Sequence, residues 1–231
     1  MPKMKTKSLL LVSMGISVAL WLSFFPIPQA PAKLLLPLSE LIARTQESYE
    51  KTEDLRARFV QEVTIKSMDK VEREEGTFYF KKPMSMSWDY VKPKAKRIVL
   101  NREKGYLYIP ADHAVYVQDV KSIFKSSPTI KFFSGLGKLQ DDFQVNFSQH
   151  DPRDGDGNYL LSLVPKNSAY GIQKLYLTID RDNFRILRCS FTDVYGNATS
   201  IRFTDIKVNN KLSDKLFTFK PPPGVEVVNM P

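Results

Sequence analysis

Cysteine and histidine are almost absent from this sequence. Its 231 residues include one cysteine, Cys189, and two histidines, His113 and His150. One cysteine cannot form an internal disulfide, so the fold must be stabilised by its core alone. Neither histidine stands at a spacing typical of metal ligands, or beside a signature of a nucleophilic triad. The sequence therefore argues against an enzyme and predicts no metal and no other cofactor.

Binding motifs for calcium, nucleotides and nucleic acids are also missing. The aspartates of residues 151–158 fail as a calcium loop, because Tyr159 and Pro165 stand where an EF-hand counted from Asp154 needs glycine and glutamate. A hairpin turn is the better interpretation of that loop. The chain has no glycine-rich phosphate loop, and the part after the leader has no block of five like charges. A nucleic-acid partner is therefore not expected.

Long apolar runs are rare, and the one exception lies near the N-terminus. Lys3, Lys5 and Lys7 precede an apolar run over residues 9–25, and small residues follow as far as Ala32. This order is typical of a secretory signal peptide over residues 1–32, with cleavage predicted after Ala32. An uncleaved anchor stays open as an alternative, because the run is near the lower limit for a membrane span. Both interpretations predict export of residues 33–231 as one domain.

Without the three leader lysines, 31 basic residues stand against 25 acidic ones. This mild basic excess is compatible with contact to anionic membrane surfaces or to acidic partners.

Most of the exported part is predicted to form strands. Apolar residues recur at helical spacing only over residues 37–51, and a serine, a proline and a closing glycine predict a short second helix over 127–135. Eleven strands are predicted, separated by short turns: 55–66, 74–82, 85–91, 96–101, 105–110, 114–119, 143–149, 158–164, 173–181, 185–193 and 198–208. Short links favour antiparallel pairing, and a sheet of this size curls. The predicted fold is mainly β: an incomplete, half-open antiparallel β-barrel of about eleven strands with a short α-helical lid.

The segment from Gly76 to Tyr90 alternates between a large apolar face and a mostly polar one. Successive side chains of a strand point to opposite faces. The even positions carry Phe78, Phe80, Lys82, Met84, Met86, Trp88 and Tyr90. Ordinary core packing explains such a face, but methionine is also frequent on surfaces that accept varied apolar ligands. Lys82 would be costly there unless its ammonium finds acceptors, such as the free carbonyls at a helix end.

At these residues the sequence resembles the family of periplasmic outer-membrane lipoprotein carriers of the LolA type. The motifs that carry the resemblance are Phe59-Val60-Gln61, Gly76-Thr77-Phe78-Tyr79-Phe80-Lys81-Lys82-Pro83, Trp88, Tyr108-Ile109-Pro110, Leu163-Val164-Pro165-Lys166 and the closing segment 217–227. The resemblance covers about residues 37–228. Their order and spacing together are specific, although no single motif is diagnostic.

The resemblance implies a function and a set of partners. It implies a monomeric periplasmic chaperone that takes triacylated outer-membrane lipoproteins from an inner-membrane ABC transporter, shields their acyl chains and passes them to an outer-membrane acceptor. The expected lipid-binding residues are Phe59, Phe78, Phe80, Met84, Met86 and Trp88. In the family, an arginine before the proline binds backbone carbonyls of the lid and holds the empty cavity closed. Lys82 stands at this position, so we expect a weaker latch, unless Lys82 faces the surface.

Two alternatives stay open on the same scaffold, and the sequence argues against a third. One is a periplasmic transporter of lipids or glycolipids. Another is a sensor domain that binds exposed lipoproteins and reports to a protein partner, which an uncleaved anchor would favour. The third is the lipid-modified acceptor of the pathway, which the sequence argues against because no cysteine lies near the predicted cleavage site.

Overall fold

One large β-sheet dominates the computed structural model, which describes residues 35–126, 139–148, 151–167 and 171–230. The strands are β1 (Asp54–Ile65), β2 (Lys70–Lys81), β3 (Ser85–Lys92), β4 (Lys96–Leu100), β5 (Lys104–Ile109), β6 (Ala114–Asp119), β7 (Phe143–Phe147), β8 (Tyr159–Pro165), β9 (Ile172–Ile179), β10 (Ile186–Asp193), β11 (Ala198–Val208) and β12 (Glu226–Asn229). Three α-helices accompany them in this part of the chain: α1 (Leu38–Glu50), α2 (Val120–Ser126) and α3 (Leu139–Asp142).

The sheet runs in the order β12-β6-β5-β4-β3-β2-β1-β11-β10-β9-β8-β7. All neighbours pair antiparallel except β12 and β6, which pair parallel. Its two edges, β12 and β7, do not pair with each other among the described residues, so the sheet is not closed. The predicted fold class, a mainly β half-open barrel with few helices, is confirmed.

The predicted elements differ from the observed ones at a few places. Strand β12 and helices α2 and α3 were not predicted. The helix predicted over 127–135 and the leader over 1–32 lie outside the described residues. No helix in the described ranges is long and apolar enough to cross a membrane.

Helix α1 packs against the half of the sheet formed by β7 to β10. Pro37 precedes it, and Leu41, Ile42 and Thr45 form its buried face. Leu41 lies in one apolar cluster with Phe143 and with the buried leucines and isoleucines of β8, β9 and β10. The buried face of α1 therefore lies on this half of the sheet, and only its C-terminal end, at Tyr49, reaches the other half.

A second apolar cluster lies on the inner face of β1 to β4 and β11. Its buried members are Leu55, Ala57, Phe59, Phe78, Phe80, Met86, Tyr90, Leu100 and Phe203. Ile123 of α2 packs against its edge. The molecule thus has two apolar clusters on one inner face, one beneath α1 and one beside it.

Candidate functional site

The second cluster contains most of the predicted lipid-binding side chains. Phe59, Phe78, Phe80 and Met86 expose no more than 4% of their surface, and Trp88 is half-buried against them. Cross-strand register explains this convergence, because Phe78 pairs with Trp88 and Phe80 pairs with Met86. The hairpin of β2 and β3 therefore brings four of the six predicted side chains onto one face, and β1 adds Phe59 beside them.

Aromatic contacts hold this cluster together. The ring centroids of Phe78 and Trp88 lie 4.3 Å apart, and Phe59 meets Trp88 edge-to-face at 5.0 Å. Phe203 of β11 lies 5.7 Å from Phe78. Edge-to-face and tilted pairs at such distances contribute about 1 kcal/mol each beyond burial. The inner face of this half is therefore a connected aromatic surface.

Met84, the sixth predicted residue, does not join the cluster. It lies in the turn between β2 and β3, half-buried, with a φ of 59°. Strand alternation does not extend through a turn, so the even numbering of Met84 no longer places it on the inner face.

A narrow apolar cavity lies between the C-terminal end of α1 and this cluster. Its lining residues are Tyr49, Leu55, Ala57, Phe78, Phe80, Ile186, Phe203 and Ile206. Its volume is about 10 Å³, which is room for roughly one water molecule. This cavity is too small for an acyl chain, which enters only if the cavity opens.

Sequence reasoning missed the cavity residues contributed by β11. Phe203 and Ile201 point inward at odd positions, whereas Ile206 and Val208 join the same cluster at even ones. The register between β1 and β11 shifts by one residue in this region, where Asp205 has a φ of 51°. A β-bulge inserts one extra residue and reverses the parity beyond it. Because the alternation reverses at the bulge, an uninterrupted period of two along β11 does not identify which of its side chains face inward.

Lys82 lies directly after β2 and reaches the end of α1. Its Nζ donates to the carbonyl oxygen of Glu50, the last residue of α1, over 2.5 Å. The carboxylate of Glu53 lies 3.8 Å from the same nitrogen. Three-quarters of the Lys82 side chain is shielded from solvent. The ammonium thus binds one of the carbonyls that a helix end leaves without a partner in the helix.

Asp54 and Asn209 tie the segment after α1 to the end of β11. The buried carboxylate of Asp54 accepts from the backbone N–H of Asn210 at 2.7 Å and of Leu212 at 3.1 Å. The Asn209 side chain accepts from the N–H of Glu53 and donates to the carbonyl of Lys51. The loop after α1 is therefore held by direct hydrogen bonds, independently of Lys82.

Replacing Asp54 by asparagine is expected to lower the free energy of unfolding by about 2 kcal/mol, because one of the two backbone donors then faces an N–H group in place of a charged acceptor. This corresponds to a fall of about 6 °C in Tm for a domain of this size. Thermal unfolding followed by circular dichroism checks it. Asp214→Asn is the control, since Asp214 pairs with Lys81 at an exposed site and should change stability by less than about 1 kcal/mol. Equal Tm values for the two variants would contradict the prediction.

A network of polar side chains borders the apolar face at the end of the strands away from Lys82. Lys96 Nζ lies 2.6 Å from a carboxylate oxygen of Glu74, and Gln61 donates to the other oxygen over 3.1 Å. The Tyr90 hydroxyl donates to Gln61, and Lys96 lies over the Tyr90 ring. Burial, and then the Glu74 charge, raise the pKa of Tyr90 above its ordinary range. Tyr90 is therefore neutral at physiological pH, and the apolar surface ends at this paired network.

The described residues hold no cluster of metal ligands, and their one cysteine is buried. No group of three or more histidine, cysteine, aspartate or glutamate side chains there could hold a metal ion. Burial raises the pKa of the Cys189 thiol to about 12, which keeps it protonated and inert. The site is thus an apolar surface with a charged contact at one end and a paired polar network at the other.

Comparison with known proteins identifies a family whose model matches most of this chain. The model of the outer membrane lipoprotein carrier protein LolA matches residues 50–220. An outer-membrane lipoprotein carrier protein of Methylobacillus flagellatus is 31% identical over 180 residues, which cover 78% of this chain and 84% of that protein. Another, from Dechloromonas aromatica, is 28% identical over 84% of this chain and 91% of that protein.

Among solved structures, an uncharacterized conserved protein from Thermus thermophilus is similar with a TM-score of 0.54. The match covers 83% of this chain and 98% of that chain at 14% sequence identity. At this identity the likeness concerns the fold alone.

Proposed function

The chain belongs to the LolA family of outer membrane lipoprotein carrier proteins, and on this premise we propose that it carries lipoproteins across the periplasm. It binds their acyl chains on the inner face of β1 to β4 and β11 and delivers them to the outer membrane. Transfer of cargo is an exchange between binding sites, so no covalent step is needed.

The aromatic inner face is the observation that carries this proposal. Each methylene group kept from water contributes about 0.8 kcal/mol, so one 16-carbon chain represents on the order of 10 kcal/mol. Such a chain does not cross water unescorted, and it leaves a carrier only for another apolar site. We therefore propose that an inner-membrane ABC transporter loads the carrier and that an outer-membrane acceptor unloads it.

The small volume of the cavity indicates that the empty carrier is closed and that a contact keeps it closed. Because the space beneath Tyr49 has room for about one water molecule, the end of α1 must move away from β1 and β2 before cargo enters. Lys82 bridges these two parts through Glu50. We propose that Lys82 is the latch of this closed state and that the burial of cargo compensates for the hydrogen bond broken on opening.

Replacing Lys82 by methionine should make the cavity easier to open. The change removes the ammonium but keeps most of the apolar stem. Loss of one charge-assisted hydrogen bond at a partly exposed site is worth about 1.5 kcal/mol, so a fluorescent fatty acid that binds only the open form should bind about tenfold more tightly. Fluorescence titration of the mature protein measures this affinity.

Lys81→Met is the matched control. Lys81 donates to the carbonyl of Leu212 and to Asp214, away from α1, so its loss should leave fatty-acid affinity unchanged. Lys82→Arg should bind fatty acid no more tightly than the wild type, because arginine keeps the charged donors. Equal affinities for Lys82→Met and Lys81→Met would show that Lys82 is no latch.

A release assay tests the proposed function itself. Spheroplasts containing labelled outer-membrane lipoproteins are incubated with purified residues 33–231, and soluble complexes are captured. Labelled lipoprotein in the supernatant is the expected result. If lipoprotein stays in the membrane while the captured protein holds phospholipid or glycolipid, the carrier proposal is wrong and a lipid transporter takes its place. N-terminal sequencing of the protein recovered from the periplasm tests the proposed leader, with Lys33 as the expected first residue.

A further inference from the structure

The outer face of strands β1, β11 and β10 carries a group of basic side chains that the carrier function does not use. On this face Arg56 of β1 stands opposite Lys207 of β11, and Arg188 of β10 stands opposite Arg202 of β11. Arg58 lies between them along β1. These five residues, here called the basic face, lie on the side of the sheet opposite to the aromatic cluster.

Two of these cross-strand pairs bring like charges together. Side chains directly opposite each other on antiparallel strands have Cβ atoms about 5 Å apart, and like charges at such positions destabilise the sheet. Arg56 faces Lys207 and Arg188 faces Arg202 in this way. The fold therefore bears a repulsion that an anion placed over the basic face would relieve.

Nearby acids leave most of this charge uncompensated. Arg58 forms an ion pair with Asp205 over 2.7 Å, but the side chains of Arg188 and Arg202 form no hydrogen bond or ion pair with any residue the structure describes. A groove of about 160 Å³ runs beside them, where Glu62 is already bound by Arg73. On the other side lie Asp154 and Asp156, which share a cleft with both arginines without pairing to them.

The chemistry of this face fits phosphate groups better than a protein partner. Protein interfaces depend on aromatic or large aliphatic anchors at their centre. Val60 is the one apolar residue at the outward, described positions of β1 near the arginines. Leu160 and Leu187 line the cleft beside Arg188 and Arg202, and Tyr79 stands opposite Arg56, so the five basic side chains outnumber these four apolar ones. Guanidinium groups bind phosphate oxygens in a bidentate manner, and an anionic bilayer attracts clustered cations without any apolar anchor. The observations thus favour a lipid surface.

We propose that the basic face binds the phosphate groups of anionic phospholipids and holds the protein against a bilayer surface. The inference does not depend on cargo binding, because the basic face and the aromatic cluster occupy opposite sides of the sheet. A protein held in this way searches for its membrane partners along a surface instead of through the whole aqueous volume.

Vesicle flotation of the purified mature protein, without lipoprotein, tests the proposal. The wild type is expected to float with vesicles of equimolar phosphatidylcholine and phosphatidylglycerol and to stay behind with phosphatidylcholine alone. Binding should disappear at about 1 M salt, where the Debye length is about 3 Å. The double variant R188Q/R202Q should bind about 30-fold more weakly, since each basic residue near an anionic surface contributes roughly fivefold.

The double variant R102Q/K121Q is the matched control, because both side chains are exposed elsewhere and its net charge is the same as that of R188Q/R202Q. It should bind far more tightly than R188Q/R202Q. R188Q/R202Q should melt no lower than the wild type, because it relieves a repulsion; this separates lost binding from lost folding. Equal loss in both double variants, or wild-type binding independent of phosphatidylglycerol, would overturn the proposal. So would full displacement by inorganic phosphate at constant ionic strength, which would indicate a site for a small anion.

Discussion

Gly76→Ala is expected to lower the free energy of unfolding by about 3 kcal/mol, although it adds a single methyl group to a strand. A Cβ built at Gly76 overlaps the backbone oxygen of Asp89 and comes within 2.8 Å of the Phe59 ring. Backbone atoms of the β2–β3 hairpin cannot give way as a flexible side chain would, so the hairpin must shift. For a domain of this size the fall in Tm is about 10 °C, measurable by differential scanning calorimetry.

Gly76 also affects the packing of the aromatic cluster. Gly76 pairs with both Phe59 and Tyr90 across its two neighbouring strands, so its missing side chain makes room for their rings. Gly155→Ala is the control, because a Cβ there meets no atom within 4 Å and should alter stability by less than about 0.5 kcal/mol. If Gly76→Ala and the control have the same Tm, the close contact between the Phe59 ring and the Gly76 backbone does not contribute to stability.

Phe78→Asp is expected to abolish lipoprotein release from spheroplasts. Phe78 lies at the centre of the aromatic cluster, in contact with Trp88 and Phe203, and borders the cavity. A carboxylate among these rings has no partner, and burying an unpaired charge beside an acyl chain costs several kcal/mol. Even a loss of about 3 kcal/mol in cargo affinity lowers it by more than roughly 100-fold. Labelled lipoprotein in the supernatant measures the effect.

Tyr79→Asp is the matched control for this experiment. Tyr79 is the next residue of β2 and faces the outer side, opposite Arg56, so aspartate there gains a cation as its neighbour. It should release lipoprotein as the wild type does. Phe78→Leu, which keeps an apolar side chain, should fold and retain partial release, which separates lost binding from lost folding. Full release by Phe78→Asp would contradict binding on this face.

The alternation of β2 and β3 could be predicted because a short turn joins the two strands. Once the period of two is recognised on both sides of Pro83, pairing Phe78 with Trp88 follows from the hairpin itself. The structure brings five of the six predicted lipid-binding residues into one cluster. Met84 is the exception because it belongs to the turn, where strand parity has no meaning.

Other features depend on contacts between residues far apart in the chain. The bulge near Asp205 exchanges the faces of β11 beyond that residue, and no local signal in the sequence marks it. Strand β12 has four residues and forms through parallel pairing with β6. The short sequence after Pro221-Pro222-Pro223 gives no local signal of this pairing. The direction of Lys82 depends on the turn after β2, whose geometry the sequence leaves open.

The place where cargo sits is the central claim, and site-specific photo-crosslinking tests it most directly. A lipoprotein carrying a photoreactive acyl chain is loaded onto purified residues 33–231. The complex is irradiated and digested, and the crosslinked residues are identified by mass spectrometry. Crosslinks to Phe78, Phe80 and Phe203, around the cavity beneath Tyr49, are the predicted result. Crosslinks confined to the outer face, at residues such as Tyr79 and Arg202, would contradict the account.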